Sequence, residues 1–359
     1  MSDTTAATAT AAVDSAAVEK AAASYRTHGR PLWRRLLLRT EAAIIAAIVL
    51  LLIVATTTVP YFAQPYTYLT MILNSAPILL MLLPVTLIII TGDIDLSVGS
   101  ILGFSSAIFG LMFQAGVPLP LAGIVSVVAG GLVGALNGVL VTFVGLPSLA
   151  VTIGTLALFR GIAVGLLGTT AITKFPIDVT SFVGSPLFTG APIPIITVAV
   201  VVLAIAFAVL LHFTPFGRGV FAIGLSPETA AFSGVRVNRT RLTLFILSGL
   251  VASATGVYYT LQYSNAIGTN GLGLELQVVT AIVLGGVSIW GGRGTLLGAI
   301  AGGVLIAALN KTLQLAGVGS DTISVVTGAA LIFSVVVASV AGFISRRRRA
   351  KASVITAGA

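Results

Sequence analysis

A chain of 359 residues with 57% hydrophobic and only 8% charged residues cannot coat the surface of one or two soluble domains, which ordinarily carry about 25% charged residues. A mean hydropathy of +1.11 places most of this apolar surface against lipid, and the formal charge of +9 has to be explained in that setting. The lack of cysteine excludes disulfides, thiolate-bound zinc and thiol catalysis, and the two histidines, His28 and His212, give no basis for a metal site or a catalytic triad.

In chain order, residues 1–40 read as a disordered, basic tail. Its first 24 residues are Ala, Ser and Thr with scattered charge, and they lack the apolar run of a signal peptide. A helix needs about 20 mostly apolar residues to cross the hydrocarbon core. That ruler marks ten candidate spans, at 41–59, 68–91, 97–115, 119–143, 148–168, 192–212, 243–262, 275–290, 294–312 and 323–343, the eighth being short. The expected fold is therefore an all-α integral membrane protein, with a transmembrane domain over 41–343 and a basic tail over 344–359. Between the fifth and sixth spans, 169–191 is rich in turn residues and has room for a short surface helix. Between the sixth and seventh, the polar stretch 213–242 has helical spacing from Pro227 to Phe232. Ser226 is placed to cap that helix, Pro227 to open it, and Glu228 to favour the positive end of its dipole.

Orientation follows from the basic residues, which collect in cytoplasmic loops. Lys20, Arg26, Arg30, Arg34, Arg35 and Arg39 precede the first span, and Arg346 to Arg349 with Lys351 follow the last. With both termini inside, ten spans also put Arg218, Arg236, Arg239, Arg241 and Arg293 inside. Only Lys174 and Lys311 fall outside, and Arg160 falls within a span. The excess charge is thus positive-inside bias, with attraction of the Arg346 to Arg349 run to anionic headgroups, rather than a nucleic-acid surface.

Two glycine series, Gly130, Gly134, Gly138 and Gly161, Gly165, Gly168, put smooth stripes on helix faces suited to close packing. Ala-Leu-Asn recurs near Asn137 and Asn310, a faint sign of repeated halves. No lysine ends a GxxxxGK[ST] loop, so any ATP that drives this protein binds another polypeptide. Arg160 is either a structural arginine satisfied by carbonyls or a residue of the path. The scarcity of carboxylates within spans argues against a carrier powered by protons or sodium. Asn74, Asn137, Thr152, Thr155 and Asn310 are neutral polar residues inside spans, suited either to bonds between helices or to the path of a hydroxylated solute.

Four segments carry a resemblance: Gly92-Asp93-Ile94-Asp95-Leu96-Ser97-Val98-Gly99-Ser100; Gly145 to Gly161 with Pro147, Thr155 and Arg160; Phe216 to Val235 with Arg218, Gly224, Glu228, Ala231 and Gly234; and Glu275 with Gly285-Gly286 and Gly291 to Gly294. Together, in consistent order over about 65–340, they resemble the ribose-type permeases of bacterial ABC importers. Thr91-Gly92-Asp93, in place of a Gly-Gly pair, is similar to the rhamnose and autoinducer-2 branch, and Leu225-Ser226 also departs from the usual pattern. The resemblance implies a non-catalytic subunit of about ten helices in the bacterial inner membrane, of the larger-importer architecture. It implies a second permease copy or paralogue, two ATPase subunits that hold ATP and Mg, and an extracytoplasmic sugar-binding protein. Arg218, Gly224, Ser226, Glu228, Ala231 and Gly234 would form the loop that docks on the ATPase, and Asp93, Asp95, Ser97 and Gly99 the signature turn. The expected cargo is a monosaccharide or a similar solute; a branched-chain amino-acid permease and an ATP-independent carrier are the rival readings.

Overall fold

The computed structural model describes residues 40–188 and 190–336. The basic tails and the end of the tenth span lie outside these residues. The helices are α1 (Thr40–Thr58), α2 (Pro65–Ile90), α3 (Val98–Gln114), α4 (Leu119–Thr142), α5 (Ser148–Leu167), α6 (Ile177–Gly184), α7 (Ile196–Phe213), α8 (Pro215–Leu225), α9 (Pro227–Phe232), α10 (Val237–Tyr263), α11 (Leu274–Leu284) and α12 (Leu296–Leu315). A further helix, α13, covers Ser320–Val336. Among the described residues the only extended pairings are isolated bridges, Ile172 to Ala266 and Pro186 to Pro194.

Without water to satisfy a backbone in lipid, each apolar run closes its own hydrogen bonds as a helix. The boundaries obey local chemistry. Pro65, Pro215 and Pro227 open α2, α8 and α9, where a missing N–H costs nothing. Past the end of α2, Gly92 takes φ 86°, a left-handed conformation that stops the helix. Six helices, α2, α4, α5, α7, α10 and α12, are long and apolar enough to cross a bilayer, while α3 and α11 are apolar but shorter, and α1 and α13 present apolar stretches over Ala42–Thr58 and Ser320–Val336 of the described residues.

The apolar window of α2 is 83% buried, and that of α7 is 11% buried. The first is therefore the axis of the bundle, and the second stands at its edge. Helices α4 and α10 cross in close contact, because Gly130, Gly134 and Gly249 remove side chains from the crossing. A Cβ on Gly134 would run into Phe245 O and the backbone of Gly249. The second glycine series behaves differently. Nothing among the described residues lies within 4 Å of a Cβ built on Gly161, Gly165 or Gly168, so the face of α5 that carries Gly161 and Gly165 packs against no other described helix.

The eighth predicted span needs correction. Helix α11 stops at Leu284 after 11 residues, a rise of about 16 Å against a core of about 30 Å. Gly286, Gly291, Gly292 and Gly294 all have positive φ, and this run cannot continue a helix. On the other side, Ser264 to Gly273 is irregular and tucked among α3, α5 and α11. Irregular backbone at such depth persists only where protein surrounds it.

Candidate functional site

The turn from α2 to α3 is a buried hub. Asp95 Oδ1 accepts from Ser97 N (2.9 Å) and Ser97 Oγ (2.6 Å), and Asp95 Oδ2 accepts from Ser248 Oγ of α10 (2.7 Å). Asn137 Nδ2 of α4 donates to Ser97 Oγ (2.9 Å). The backbone of Ile94 is held from both sides by α5: its N–H donates to Ser148 Oγ (3.2 Å), and its carbonyl accepts from Thr152 Oγ1 (3.1 Å). Asp93 Oδ2 lies 2.8 Å from Arg241 Nε of α10, off the N–H axis, so this is an ion pair rather than an aligned hydrogen bond. Burial raises both carboxyls above their usual range; Arg241 opposes this most for Asp93, and the Ser97 and Ser248 donors do so for Asp95. Helices α4, α5 and α10 thus converge on the turn from Thr91 to Ser97 that joins α2 to α3.

Above this hub, Arg160 of α5 clamps the irregular segment. Nη1 donates to Gly268 O (3.0 Å) and Asn270 O (2.6 Å), and Nη2 donates to Gly99 O of α3 (2.9 Å). Buried Glu275 accepts from Gly273 N (3.1 Å), and Arg160 supplies its neighbouring positive charge. Gly99 and Gly103 make room for this pair, since a Cβ at the first would collide with the Glu275 carboxylate and one at the second would press on Arg160. Of the two readings of Arg160, the geometry matches the structural arginine satisfied by carbonyls.

At the same end of the bundle as the hub, α8 and α9 form an elbow. Thr214 caps α8 by accepting from Gly217 N, and Ser226 caps α9 by accepting from Thr229 N. The expected helix from Pro227 to Phe232 is present, and α8 adds a second helix in the polar stretch 213–242. The elbow is rooted by backbone contact. A Cβ on Gly224 would run into Ile90 O and the backbone of Gly292, and Gly292 N donates to Ile90 O (2.8 Å). Gly291 in turn lies against Gly92 and Gly224. Around this root, Leu225, Phe232 and Trp290 are 73%, 93% and 83% exposed, and Arg218, Glu228, Ala231 and Gly234 are exposed as well. Ser226 is half-buried.

At the opposite end a cleft of about 250 Å³ opens between α2, α11, α12 and α13. Its polar lining includes Asn74, Gln277, Asn310, Lys311 and Gln314. Asn310 Nδ2 donates to Gln277 Oε1 (3.0 Å), and Asn74 Oδ1 accepts from Gln262 Nε2 (3.0 Å) and Tyr263 Oη (3.1 Å). The structure therefore divides the residues marked for a path. Asn74 and Asn310 meet in the cleft. Asn137 and Thr152 belong to the buried hub, and Thr155 is buried and bonds the preceding turn of its own helix (Val151 O, 3.0 Å). Gln277 and Gln314 were missed, although each is a carboxamide at an end of an apolar run. Trp290 and Phe232 were missed because exposure of a large apolar residue cannot be read from a sequence.

The profile of the family described as "Branched-chain amino acid transport system / permease component" matches residues 67–352. The chain is also 37% identical, over 264 residues, to the autoinducer 2 import system permease protein LsrD of Escherichia coli strain K12, with 72% of this chain and 79% of the relative covered. It belongs to this permease family. The LsrD proteins of Shigella flexneri and Escherichia coli O157:H7 match the permease to the same extent. No solved structure matches it. Family membership and six spanning-length helices together make the permease a multi-pass membrane protein, and its relatives are transport subunits rather than catalysts.

Proposed function

We propose that this permease is the membrane subunit of an ATP-driven importer in the bacterial inner membrane, with both termini in the cytoplasm and ten crossings, the eighth made by the half-helix α11 together with the glycine loop that follows it. The observation that carries the reading is the α8–α9 elbow. Three large apolar side chains, Leu225, Phe232 and Trp290, project from a root of backbone contacts among cationic residues. Exposed apolar residues of this kind mark a protein interface rather than a solvated loop. The partner is a separate ATPase that holds ATP and Mg, because this chain has no nucleotide loop. Its closure would push on α8, and through Gly224 on the end of α2 and the loop after α11. That motion would bias the bundle between two states open to opposite sides. A second permease copy or paralogue and an extracytoplasmic binding protein complete the assembly. The relatives' names specify import of autoinducer 2, and a monosaccharide or a solute of that kind is the cargo proposed for this chain.

Replacing Arg218 and Glu228 by Ala and Phe232 by Asp in one variant is expected to leave the protein folded in the membrane and to abolish co-purification with its ATPase. Recovery of the ATPase at wild-type yield would refute the docking role. A carrier needing no ATPase would move solute as the purified chain in liposomes, whereas the importer reading expects uptake only with the ATPase, the binding protein and ATP.

A further inference from the structure

We infer that the cleft between α2, α11, α12 and α13 is a solute site contained within one chain and built for a neutral, polyhydroxylated molecule; the inference rests on the permease reading and extends it to a place and a ligand chemistry. The first ground is the kind of polar group present. Four carboxamides, Asn74, Gln277, Asn310 and Gln314, join the hydroxyls of Ser320 and Ser324. Each carboxamide both donates and accepts, as does each hydroxyl of a polyol, so neighbouring hydroxyls can be matched without a fixed charge. Among the described residues no carboxylate lines the cleft, and the single cation is Lys311. A zwitterionic amino acid would therefore leave its ammonium without an ionic partner on being drawn from water, at a cost that a neutral solute avoids.

Preorganisation is the second ground. Asn74 Oδ1 is occupied by Gln262 and Tyr263, and Gln277 Oε1 by Asn310. Among the described residues, Asn74 Nδ2 and Gln277 Nε2 have no partner. Both amides are thus turned so that their free edges are donors, and both line the cleft. Beside them, Met71, Ile78 and Ile323 supply an apolar wall for the C–H face of a ring. A volume of about 250 Å³ is below the roughly 300–1,000 Å³ of sites for drug-sized ligands and suits a small solute. Location is the third ground. Gln277 stands one turn into α11, and the far end of α11 runs into the glycine loop that touches the elbow, so occupancy of the cleft and the posture of the docking end share one short helix.

The chain has no cysteine, so Ser324→Cys creates a unique thiol in the cleft of the full-length protein. In nanodiscs its reaction with a small neutral methanethiosulfonate is expected to slow at least fivefold in 100 mM D-ribose, L-rhamnose or xylitol, and not in 100 mM L-leucine. Ser181→Cys on exposed α6 should be unaffected by any of them. Adding Gln277→Leu and Asn310→Leu to Ser324→Cys should remove the protection. Protection by none of the three polyols, or by L-leucine alone, overturns the inference. In the complete importer, Asn310→Leu is expected to lower uptake more than tenfold with assembly and ATPase activity retained, and wild-type uptake by that variant would also overturn it. Sugar protection in a protein whose wild-type complex transports nothing with ATP would instead sink the permease reading and leave the cleft standing.

Discussion

Asp95 shows how one side chain can hold a membrane bundle together. It is fully buried yet accepts three hydrogen bonds from two elements, and loss of the acceptor would strand those donors in a dry interior. Stranding a buried donor costs about 1–3 kcal/mol, so Asp95→Ala is expected to lower the thermal midpoint of the protein in nanodiscs far more than Ser248→Ala, which removes one donor. Near-equal midpoints for the two variants would show that the hub is not cooperative. Glycines allow a paired test. Gly134→Ala puts a methyl group into Phe245 O and should cost about 1–3 kcal/mol through overpacking. Gly161→Ala meets nothing and should be neutral or slightly stabilising, read by the same melting curves. The sequence contained the residues of the hub, and the resemblance drew attention to Asp93, Asp95, Ser97 and Gly99. It did not contain their partners, because Ser248 and Asn137 are 153 and 40 positions from the residues they bond.

Among the elements, α11 is the least ordinary. Hydropathy extended it through residue 290, since Val283 to Trp290 is apolar enough to pass for a span; backbone conformation decided otherwise. Gly285 and Gly298 pack so closely that neither tolerates a Cβ, and the chain then turns through Gly286 with φ 83°. Such a half-helix, held by glycine turns at both ends, is suited to move as a unit when one end is pushed. Gly292→Ala, with φ 70° and Leu225 in the way, is expected to leave ATP hydrolysis by the complex in place while uptake falls at least fivefold. Gly317→Ala also has a positive φ but nothing near its Cβ, and it should cost only local strain, of order 1 kcal/mol. Equal loss of coupling in both variants would remove α11 from the transmission route. Arg160→Lys tests the opposite end, since a lysine cannot reproduce the planar fork that reaches Gly268 O, Asn270 O and Gly99 O together. The irregular segment should then become open to proteolysis.

At the scale of the whole molecule, eight of the ten expected spans fall on helices and the tenth does so over its described part, 323–336, because about twenty apolar residues have few alternatives in lipid. The cleft was half legible: Asn74 and Asn310 stood out as polar residues in apolar runs, but which of the neutral polar groups would meet depends on helix rotation, which hydropathy does not encode. Sidedness can be measured directly. Ala231→Cys, the only thiol in such a protein, is expected to react with a membrane-impermeant maleimide in inverted vesicles and not in right-side-out ones, and the reverse pattern would turn the docking elbow to the wrong face.

Helix α7 has a consequence of its own. Little of it is buried within the chain, it has 18 residues, and it passes through Thr214 alone into α8. Its length is about 27 Å, slightly under the average hydrocarbon thickness. Longer acyl chains would therefore draw this edge helix inward and tug the elbow with it, making the fatty-acid composition of the host bilayer a dial on how readily the ATPase seat engages.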